Sequence, residues 1–216
     1  MRTNKTYAVF GLGRYGMAVA LQLVENGMEV IAVDSNQEIV NDAAAFLPVC
    51  KCADVTDAEV IERLGIADID TVVICMASNL EASVMAVTLC KEAGVKHVIA
   101  KCGSTMHQKI LLRVGADEVV FPEHESGARL AKNLISSGFI DMLSLSGEAS
   151  IVEIDVKPDW IGKNLIELNL RRKYDINIVA IKTDGQVNAH VNPEQKLKSD
   201  DTLIVIANTA KLGKLK

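Results

Sequence analysis

Three glycines near the start of the chain form the strongest candidate for a chemical site. The stretch Val-Phe-Gly-Leu-Gly-Arg-Tyr-Gly places Gly11, Gly13 and Gly16 in a GxGxxG pattern between a predicted strand and a predicted helix. Gly11 permits a tight turn, Gly13 lets backbone amides approach a diphosphate, and Gly16 lets the helix pack closely on the strand. The free N–H groups of the helix N-terminus would face the diphosphate. The predicted contacts are Gly11, Leu12, Gly13, Arg14, Tyr15 and Gly16.

A purely structural turn would use the same glycines, and Asp34 is the residue that favours a nucleotide instead. Asp34 ends the second predicted strand, near the spacing of about 20 residues that the motif requires. Its carboxylate can accept both hydrogen bonds of an adenosine ribose diol. Because Ser35 follows it and a carboxylate repels a 2′-phosphate, NADP is disfavoured. Together these residues predict an adenosine-nucleotide site that includes Ser35.

Arg14 bears on which nucleotide binds. A guanidinium beside the diphosphate can clamp additional phosphate oxygens, which favours ATP or ADP over NAD. The alternative is a solvated arginine at the start of the helix, although a cation there opposes the helix macrodipole. We therefore predict ATP or ADP as the ligand, with NAD or NADH as the alternative.

Further candidate residues follow the other predicted strands, because the carboxyl ends of parallel strands border one crevice. They are Asp54, Ala77, Ser78, Lys101 and Glu123. Asp54 is either an acceptor for the adenine amino group or a cap of the following helix. Lys101 would add positive charge beside the phosphates, whereas Glu123 suits that position only if a divalent cation lies between. Glu123 is thus the predicted metal ligand.

The elements that position these residues alternate regularly over the first 136 residues, where a strand and a helix follow each other six times. The predicted strands are Tyr7–Gly11, Val30–Asp34, Val49–Cys52, Thr71–Met76, His97–Lys101 and Glu118–Phe121. The predicted helices are Tyr15–Asn26, Gln37–Phe46, Asp57–Leu64, Leu80–Ala93, Met106–Val114 and Ser126–Ser136. Strands such as the fourth are apolar at successive positions, so helices should cover both faces. Residues 1–136 are therefore predicted to form a Rossmann-like α/β domain with a doubly wound parallel sheet.

Residues 150–216 form a second domain with a different order of elements. A strand at Ile151–Val156, a helix near Asn164–Tyr174 and three further strands indicate a small α+β domain, with Asp184-Gly185 as a hairpin turn. The three further strands are Ile176–Lys182, Val187–Val191 and Thr202–Ile206. Such a small core predicts dimerisation. Residues 137–149 are the connector, whose large apolar side chains pack either within the chain or on another subunit.

Composition and charge exclude several classes of protein. The 216 residues are 49% hydrophobic, as in globular chains, and no apolar run approaches the roughly 18 residues that span a bilayer. A net charge of -5 and 4% aromatic residues argue against nucleic acid as a partner. The five cysteines lie mostly in apolar segments, and Cys50 and Cys52 lack neighbouring metal ligands. We expect a cytoplasmic protein with reduced, inert thiols and no direct membrane insertion.

No recognisable catalytic set accompanies the predicted nucleotide site. A dehydrogenase needs an acid or base and a substrate-anchoring group beside the nicotinamide. Neither a Ser-Tyr-x-x-x-Lys pattern nor a His/Asp/Arg set stands out in the sequence. The nucleotide is therefore predicted to act as a signal and not as a reagent, with an NAD-dependent oxidoreductase as the alternative.

Taken together, these motifs resemble those of a known family. The resemblance covers nearly the whole chain and is specific as a combination. It rests on the glycine stretch, Val33-Asp34, Ala53-Asp54-Val55-Thr56-Asp57, Gly115-Ala116-Asp117 followed by Pro122-Glu123, and Ile161–Leu165 with Ile178–Ile181. The chain is similar to the cytosolic regulatory proteins of bacterial Trk- and Ktr-type potassium uptake systems, which join an RCK N-terminal domain to an RCK C-terminal domain.

The resemblance implies a regulator that gates potassium entry through a separate, membrane-embedded potassium-translocating subunit. Such proteins form dimers that assemble into rings, typically octamers, at the inner face of the membrane, and they bind ATP and ADP or, in some members, NAD or NADH. The resemblance also implies that Arg14 faces the terminal phosphate, that Glu123 lies near a cation, and that residues 137–149 cross between dimer partners. Some relatives bind cyclic di-AMP in the C-terminal domain, a point that no motif here decides.

Overall fold

The structure, a computed structural model, describes residues 5–135, 142–144 and 149–208, which fall into two units. The packing of Cα atoms divides the chain into Met1–Glu123 and His124–Lys216. The sequence placed the end of the first domain at residue 136, so this division assigns most of the preceding helix to the second unit. Within the described part of the chain, no helix is long and apolar enough to cross a bilayer.

The first unit is built on a six-stranded parallel sheet. Its strands are β1 (Thr6–Phe10), β2 (Glu29–Asp34), β3 (Cys50–Cys52), β4 (Thr71–Ile74), β5 (His97–Lys101) and β6 (Glu118–Val120). Its helices are α1 (Arg14–Glu25), α2 (Gln37–Ala43), α3 (Ala58–Arg63), α4 (Leu80–Glu92) and α5 (Thr105–Arg113), and α6 (Pro122–Ile135) follows β6. The strand order is β3-β2-β1-β4-β5-β6, with every described pairing parallel. This order confirms the predicted Rossmann-like, doubly wound fold.

Alternate positions of the central strands pack into two separate cores. Phe10 and Ile74 lie in one core, whereas Val9 and Val73 lie in the other, and all four are at most 6% exposed. Because successive side chains of a strand point to opposite faces, each face of the sheet carries its own core. The order of the strands reverses between β1 and β4, so the crevice for a ligand is expected beyond their carboxyl ends.

The second unit contains a five-stranded antiparallel sheet. Its strands are β7 (Met142–Ser144), β8 (Ala149–Asp155), β9 (Ile176–Thr183), β10 (Gln186–Asn188) and β11 (Asp201–Asn208), in the order β10-β9-β11-β8-β7. Two short helices, α7 (Leu165–Leu168) and α8 (Leu170–Tyr174), precede β9. Trp160, Leu168 and Leu203 are buried in its core. Asp184 and Gly185 have φ values of 50° and 78°, as the hairpin turn between β9 and β10 requires. The predicted α+β class is confirmed.

Several element boundaries differ from their predictions. α6 begins at Pro122, four residues before the predicted Ser126, since proline is favourable at the first helical position. Glu123 therefore lies in the first turn of a helix and not at a strand end. The helix predicted near Asn164–Tyr174 is divided at Asn169, whose φ of 47° is left-handed. β10 ends at Asn188, whose side chain accepts a hydrogen bond from the backbone N–H of His190 at 2.9 Å.

Part of the predicted connector is a strand. The backbone of Met142–Ser144 pairs with Ser150–Val152 of β8 in the same chain. The backbone of these three residues therefore pairs within the chain. Residues 137–141 and 145–148 of the connector lie outside the described residues, and so does the predicted crossover between dimer partners.

Candidate functional site

The three glycines of the motif differ in what a side chain would meet. Gly11 has a φ of 87°, and an added Cβ would lie 2.9 Å from Cγ of Met76. An added Cβ at Gly16 would collide with the carbonyl oxygen of Gly11. Gly13 has an ordinary φ of -62°, and an added Cβ would meet nothing within 4 Å. The backbone itself therefore requires glycine at positions 11 and 16, whereas the absence of a side chain at Gly13 keeps the space in front of the turn open.

The N-terminus of α1 has no side-chain cap, unlike the N-termini of the next four helices. Asn36, Asp57, Asn79 and Ser104 each accept a hydrogen bond from a first-turn N–H of α2, α3, α4 and α5, respectively. Gly13 caps α1 without any side-chain hydrogen bond, and no acidic residue lies in the first turn. No side chain therefore caps this helix end, and the helix dipole favours negative charge there.

Asp34 ties the end of β2 to the glycine turn. Its Oδ2 accepts a hydrogen bond from the N–H of Leu12 at 2.7 Å, and its Oδ1 accepts one from the N–H of Asn36 at 2.9 Å. A carboxylate has roughly four acceptor positions, so about two remain for a ligand. Leu12 itself is only 4% exposed, and its N–H is already bound by Asp34.

A cleft of about 450 Å³ opens in front of this turn. Six of the predicted site residues line it, namely Gly11, Gly13, Asp34, Ser35, Asp54 and Ser78. Its volume lies in the range of about 300–1,000 Å³ that is typical of small-molecule sites. Leu12, Arg14, Tyr15, Gly16, Ala77, Lys101 and Glu123 are not among its lining residues. The structure therefore brings together the turn, the predicted ribose acceptor and the residue after β3.

Sequence reasoning missed much of the apolar lining of the cleft. The additional residues are Val33, Ile39, Ala53, Val55, Thr56, Cys75, Met76, Asn79 and Ala82. Most of them follow β3 or β4 directly, so their positions after a strand could have indicated them. Ile39 comes from α2 and has no such local signal. The apolar members can cover the faces of a flat base.

Asp54 is not the cap of α3. Asp57 has that role, because its Oδ1 accepts a hydrogen bond from the N–H of Glu59 at 2.9 Å. Oδ1 of Asp54 accepts hydrogen bonds from the hydroxyl of Thr56 at 2.7 Å and from the N–H of Thr56 at 3.0 Å. Both hydrogen bonds lower the pKa of Asp54 below its usual value, and the bond from the Thr56 hydroxyl has the larger effect. Asp54 is therefore ionised at neutral pH, and its Oδ2 can accept a hydrogen bond from a ligand.

Lys101 and Glu123 form a charged cluster with Tyr15. Nζ of Lys101 lies 2.6 Å from Oε1 of Glu123 and 5.4 Å from the centroid of the Tyr15 ring. The hydrogen bond from Lys101 is the main cause of a lowered pKa at Glu123, and the charge of Arg14 contributes in the same direction. The four residues Arg14, Tyr15, Lys101 and Glu123 therefore act on one another, although none of them lines the cleft.

The acidic residues of the described chain do not form a ready metal centre. Within residues 5–135, 142–144 and 149–208, no group of three or more His, Cys, Asp or Glu side chains could hold a metal ion. Glu123, the predicted ligand, is paired with Lys101. A magnesium ion bound mainly by phosphate oxygens needs only one or two protein carboxylates, so Glu123 fits a cation that a nucleotide brings with it.

No disulfide joins the five cysteines, and burial raises the pKa of Cys75 and of Cys90 to about 12. Cys75 lines the cleft and is neutral there, so it contributes apolar surface.

Comparisons with known proteins match both parts of the chain. Residues 7–122 match the TrkA-N domain, and residues 150–216 match the TrkA-C domain. The Ktr system potassium uptake protein C of Bacillus subtilis is 36% identical over 98% of this chain and 96% of its own length. The Ktr system potassium uptake protein A of the same organism is 33% identical over 95% of this chain and 92% of its own length.

Solved structures support the fold. The GsuK channel matches 98% of this chain and 38% of its own with a TM-score of 0.54 at 20% sequence identity. The TrkA-N domain of the inner membrane protein ybaL from Escherichia coli covers 62% of this chain and 99% of its own with a TM-score of 0.55 at 13% identity. With both domains matched and relatives this similar over nearly their full length, the chain belongs to the family of Ktr- and Trk-type potassium uptake proteins that carry TrkA-N and TrkA-C domains.

Proposed function

We propose that the protein is a regulatory subunit that senses adenine nucleotides in the cleft and gates potassium entry through a separate membrane subunit. The observation that carries the proposal is the position of the Asp34 carboxylate, which is held by the N–H of Leu12 beside the open space at Gly13. A ribose acceptor and a diphosphate cradle thus adjoin in one cleft. The relatives named as Ktr system potassium uptake proteins supply the link to potassium.

The nucleotide would lie at the carboxyl ends of β1 and β4, between which the order of the strands reverses. Its diphosphate would accept hydrogen bonds from backbone N–H groups at the glycine turn, and its ribose would donate to Asp34. The adenine would pack between apolar side chains such as Ile39 and Val55, with its amino group donating to Oδ2 of Asp54. The proposed ribose and adenine contacts all come from residues that line the cleft, and so does Gly13, which precedes α1.

Two cationic side chains beside the cleft would distinguish nucleotides by their number of phosphates. Arg14 is exposed at the first position of α1, and Lys101 is held at one side by Glu123. Because both carry positive charge near the glycine turn, ATP or ADP is the proposed ligand. The GsuK channel, which shares the fold, has been solved bound to NAD, so NAD or NADH is the alternative. A divalent cation would bind through the phosphates and Glu123.

The ligand is proposed to act as a signal. A ligand shifts a protein between two shapes only by binding one of them more tightly. ATP and ADP differ in charge at the position of Arg14 and Lys101, so differential engagement of these two residues is the proposed lever. A ring of eight chains at the cytoplasmic face of the membrane would pass this difference to the pore.

The test removes the charge of the carboxylate and keeps one of its two structural hydrogen bonds. Asp34→Asn keeps an oxygen acceptor for the N–H of Leu12 but presents an amide NH2 group to the N–H of Asn36. We expect ATP, ADP and NAD to bind about tenfold more weakly to this variant by calorimetry, since a hydrogen bond to a charged group contributes roughly 1.5–3 kcal/mol. Asp42→Asn on α2, whose carboxylate is exposed and is not part of the cleft lining, is the control.

Potassium uptake by cells that lack their other uptake systems provides the second measurement. Asp34→Asn should uncouple uptake from the nucleotide, whereas Asp42→Asn should behave like the unmodified protein. Unchanged affinity of Asp34→Asn for all three nucleotides would contradict the proposed ribose contact, and a wild-type protein that binds none of them would contradict the proposed function.

A further inference from the structure

A second cavity lies between α3, α4 and the short 3-10 helix Ile66–Asp68. Its volume is about 300 Å³. Leu89 and Ala93 contribute half-buried apolar surface to it, above Ile61 and Ile66, which are only 3% and 0% exposed. Two acidic residues, Glu62 and Glu92, also line it. We call this cavity the α3–α4 groove. A groove of this size accommodates one or two apolar side chains of a partner and is small for a nucleotide.

The charged side chains that line the α3–α4 groove are all acidic. Glu62 and Glu92 are exposed, and within the described residues neither carboxylate has a hydrogen-bonding or ion-pair partner. The nearby cations are engaged elsewhere, because Arg63 lies 3.8 Å from Glu59 and Lys91 lies 3.0 Å from Asp117. No basic side chain from the described part of the chain lines the groove. Its two carboxylates are therefore available to cations from outside.

The position of the α3–α4 groove relates it to the nucleotide cleft. α3 and α4 begin next to the cleft, since Thr56 lies just before the cap of α3 and Asn79 caps α4, and both residues line the cleft. The same helices end at the groove, where Glu62 and Glu92 lie in their last turns. A displacement of either helix at the nucleotide end thus also moves residues of the groove.

We propose that the α3–α4 groove is the docking site for a basic, amphipathic segment from the cytoplasmic face of the membrane partner. Apolar side chains of such a segment would enter the groove, and its Lys or Arg side chains would pair with Glu62 and Glu92. Cytoplasmic loops of membrane proteins carry an excess of Lys and Arg, which matches this acidic rim. An acidic peptide or an anionic lipid surface would be repelled. The inference rests on the proposed function, which supplies the membrane partner.

Charge reversal at the groove provides the test. Glu62→Lys and Glu92→Lys place a cation in the last turn of a helix, where it complements the macrodipole, so both variants should fold. Each affinity-tagged variant is mixed with detergent-solubilised membranes, and the retained potassium-translocating subunit is quantified by mass spectrometry at increasing salt concentration. We expect each substitution to weaken retention about tenfold, because like charges then face each other across the interface. Asp42→Lys on α2 makes the same charge change away from the groove and should retain the subunit normally.

A photo-crosslinker identifies the bound segment. Ala67 is exposed and lines the groove, so Ala67→p-benzoylphenylalanine should crosslink to a Lys- or Arg-rich segment of the subunit. A crosslink to a second copy of this chain, or to an acidic segment, would overturn the inference. Equal retention by wild type and both lysine variants would also overturn it while leaving the proposed function intact. If the wild-type chain bound ATP but retained no potassium-translocating subunit, both this inference and the proposed function would be contradicted.

Discussion

Gly13 is the position in the glycine turn where a methyl group should affect the ligand and not the fold. Its φ of -62° suits any residue, and an added Cβ would meet nothing within 4 Å. Alanine reduces the freedom of the unfolded chain but caps a helix less well than glycine, so the two effects on stability oppose each other. We expect Gly13→Ala to change the free energy of unfolding by less than about 0.5 kcal/mol. The methyl group should nevertheless weaken nucleotide binding at least tenfold, measured by calorimetry.

The matched control for this variant is Gly127→Ala in α6, where an added Cβ also meets nothing within 4 Å. Gly127→Ala should leave nucleotide affinity unchanged. Wild-type affinity in Gly13→Ala would show that the diphosphate does not approach this turn.

A substitution at Arg14 tests whether the site distinguishes nucleotides by their number of phosphates. Arg14 is exposed at the start of α1, and its charge contributes to the lowered pKa of Glu123. We expect Arg14→Ala to lower the affinity for ATP several-fold more than the affinity for NAD, since a guanidinium binds additional phosphate oxygens as a bidentate donor. Titration of both nucleotides against the same preparation measures the ratio. Equal losses for the two ligands would remove this role from Arg14.

The residues that the sequence could predict are those with a local pattern. The spacing of Gly11, Gly13 and Gly16 and the place of Asp34 after a strand are encoded within one βαβ unit. Ile39 could not be predicted, because it reaches the cleft only through the angle at which α2 packs. The pairing of Lys101 with Glu123 depends in the same way on β5 and α6 being neighbours.

At the scale of elements, Asp117 joins β5 and α4 to the loop before β6. Its Oδ2 accepts a hydrogen bond from the N–H of Val98 at 2.7 Å and lies 3.0 Å from Nζ of Lys91. Desolvation raises the pKa of Asp117, but the bonds from Val98 and Lys91 outweigh it and leave the pKa below its usual value. We expect Asp117→Asn to lower the free energy of unfolding by about 1–2 kcal/mol at pH 7, a range reduced for the partial exposure of the side chain.

This loss should depend on pH in a defined direction. A carboxyl whose pKa is depressed by folding stabilises the protein above its unfolded pKa of about 3.9, and the stabilisation is lost as the pH falls through the lower, folded pKa. The difference between wild type and Asp117→Asn in urea unfolding should therefore persist at about pH 5 and shrink below about pH 4. Asp42→Asn should differ little from wild type throughout. A difference that grew below about pH 4 would contradict the assignment.

The prediction of strands and helices succeeded where the hydrophobic periodicity alone determines the element. The strands of the first unit were recognisable because burial on both faces gives continuous apolar runs, as in Val72–Ile74. The start of α6 was missed because the helical period begins later than the helix, although Pro122 is itself a start signal. The break at Asn169 was missed because the sequence on either side keeps a helical composition.

For the whole molecule, α6 carries the clearest sign of assembly. Leu130 and Leu134 lie one turn apart on this helix and are 59% and 76% exposed. Burying one leucine side chain contributes roughly 1.5–3 kcal/mol, so a helix that presents two of them favours association with another chain. We therefore expect light scattering to give a particle of several times the 23.3 kDa chain mass, and about eight times that mass for the proposed ring.

Leu134→Lys tests this association, because it would place an ammonium group in the apolar contact. The variant should fold, since Leu134 is exposed and lysine is a good helix former, but it should give a smaller particle by light scattering at equal concentration. Ala131→Lys introduces the same charge at a neighbouring exposed position of α6 and should keep the wild-type mass. If the assembly uses this face, the smaller variant should still bind nucleotide, because the cleft is lined by residues of the first unit alone. A monomeric wild type, or an unchanged mass for Leu134→Lys, would show that α6 does not hold the chains together.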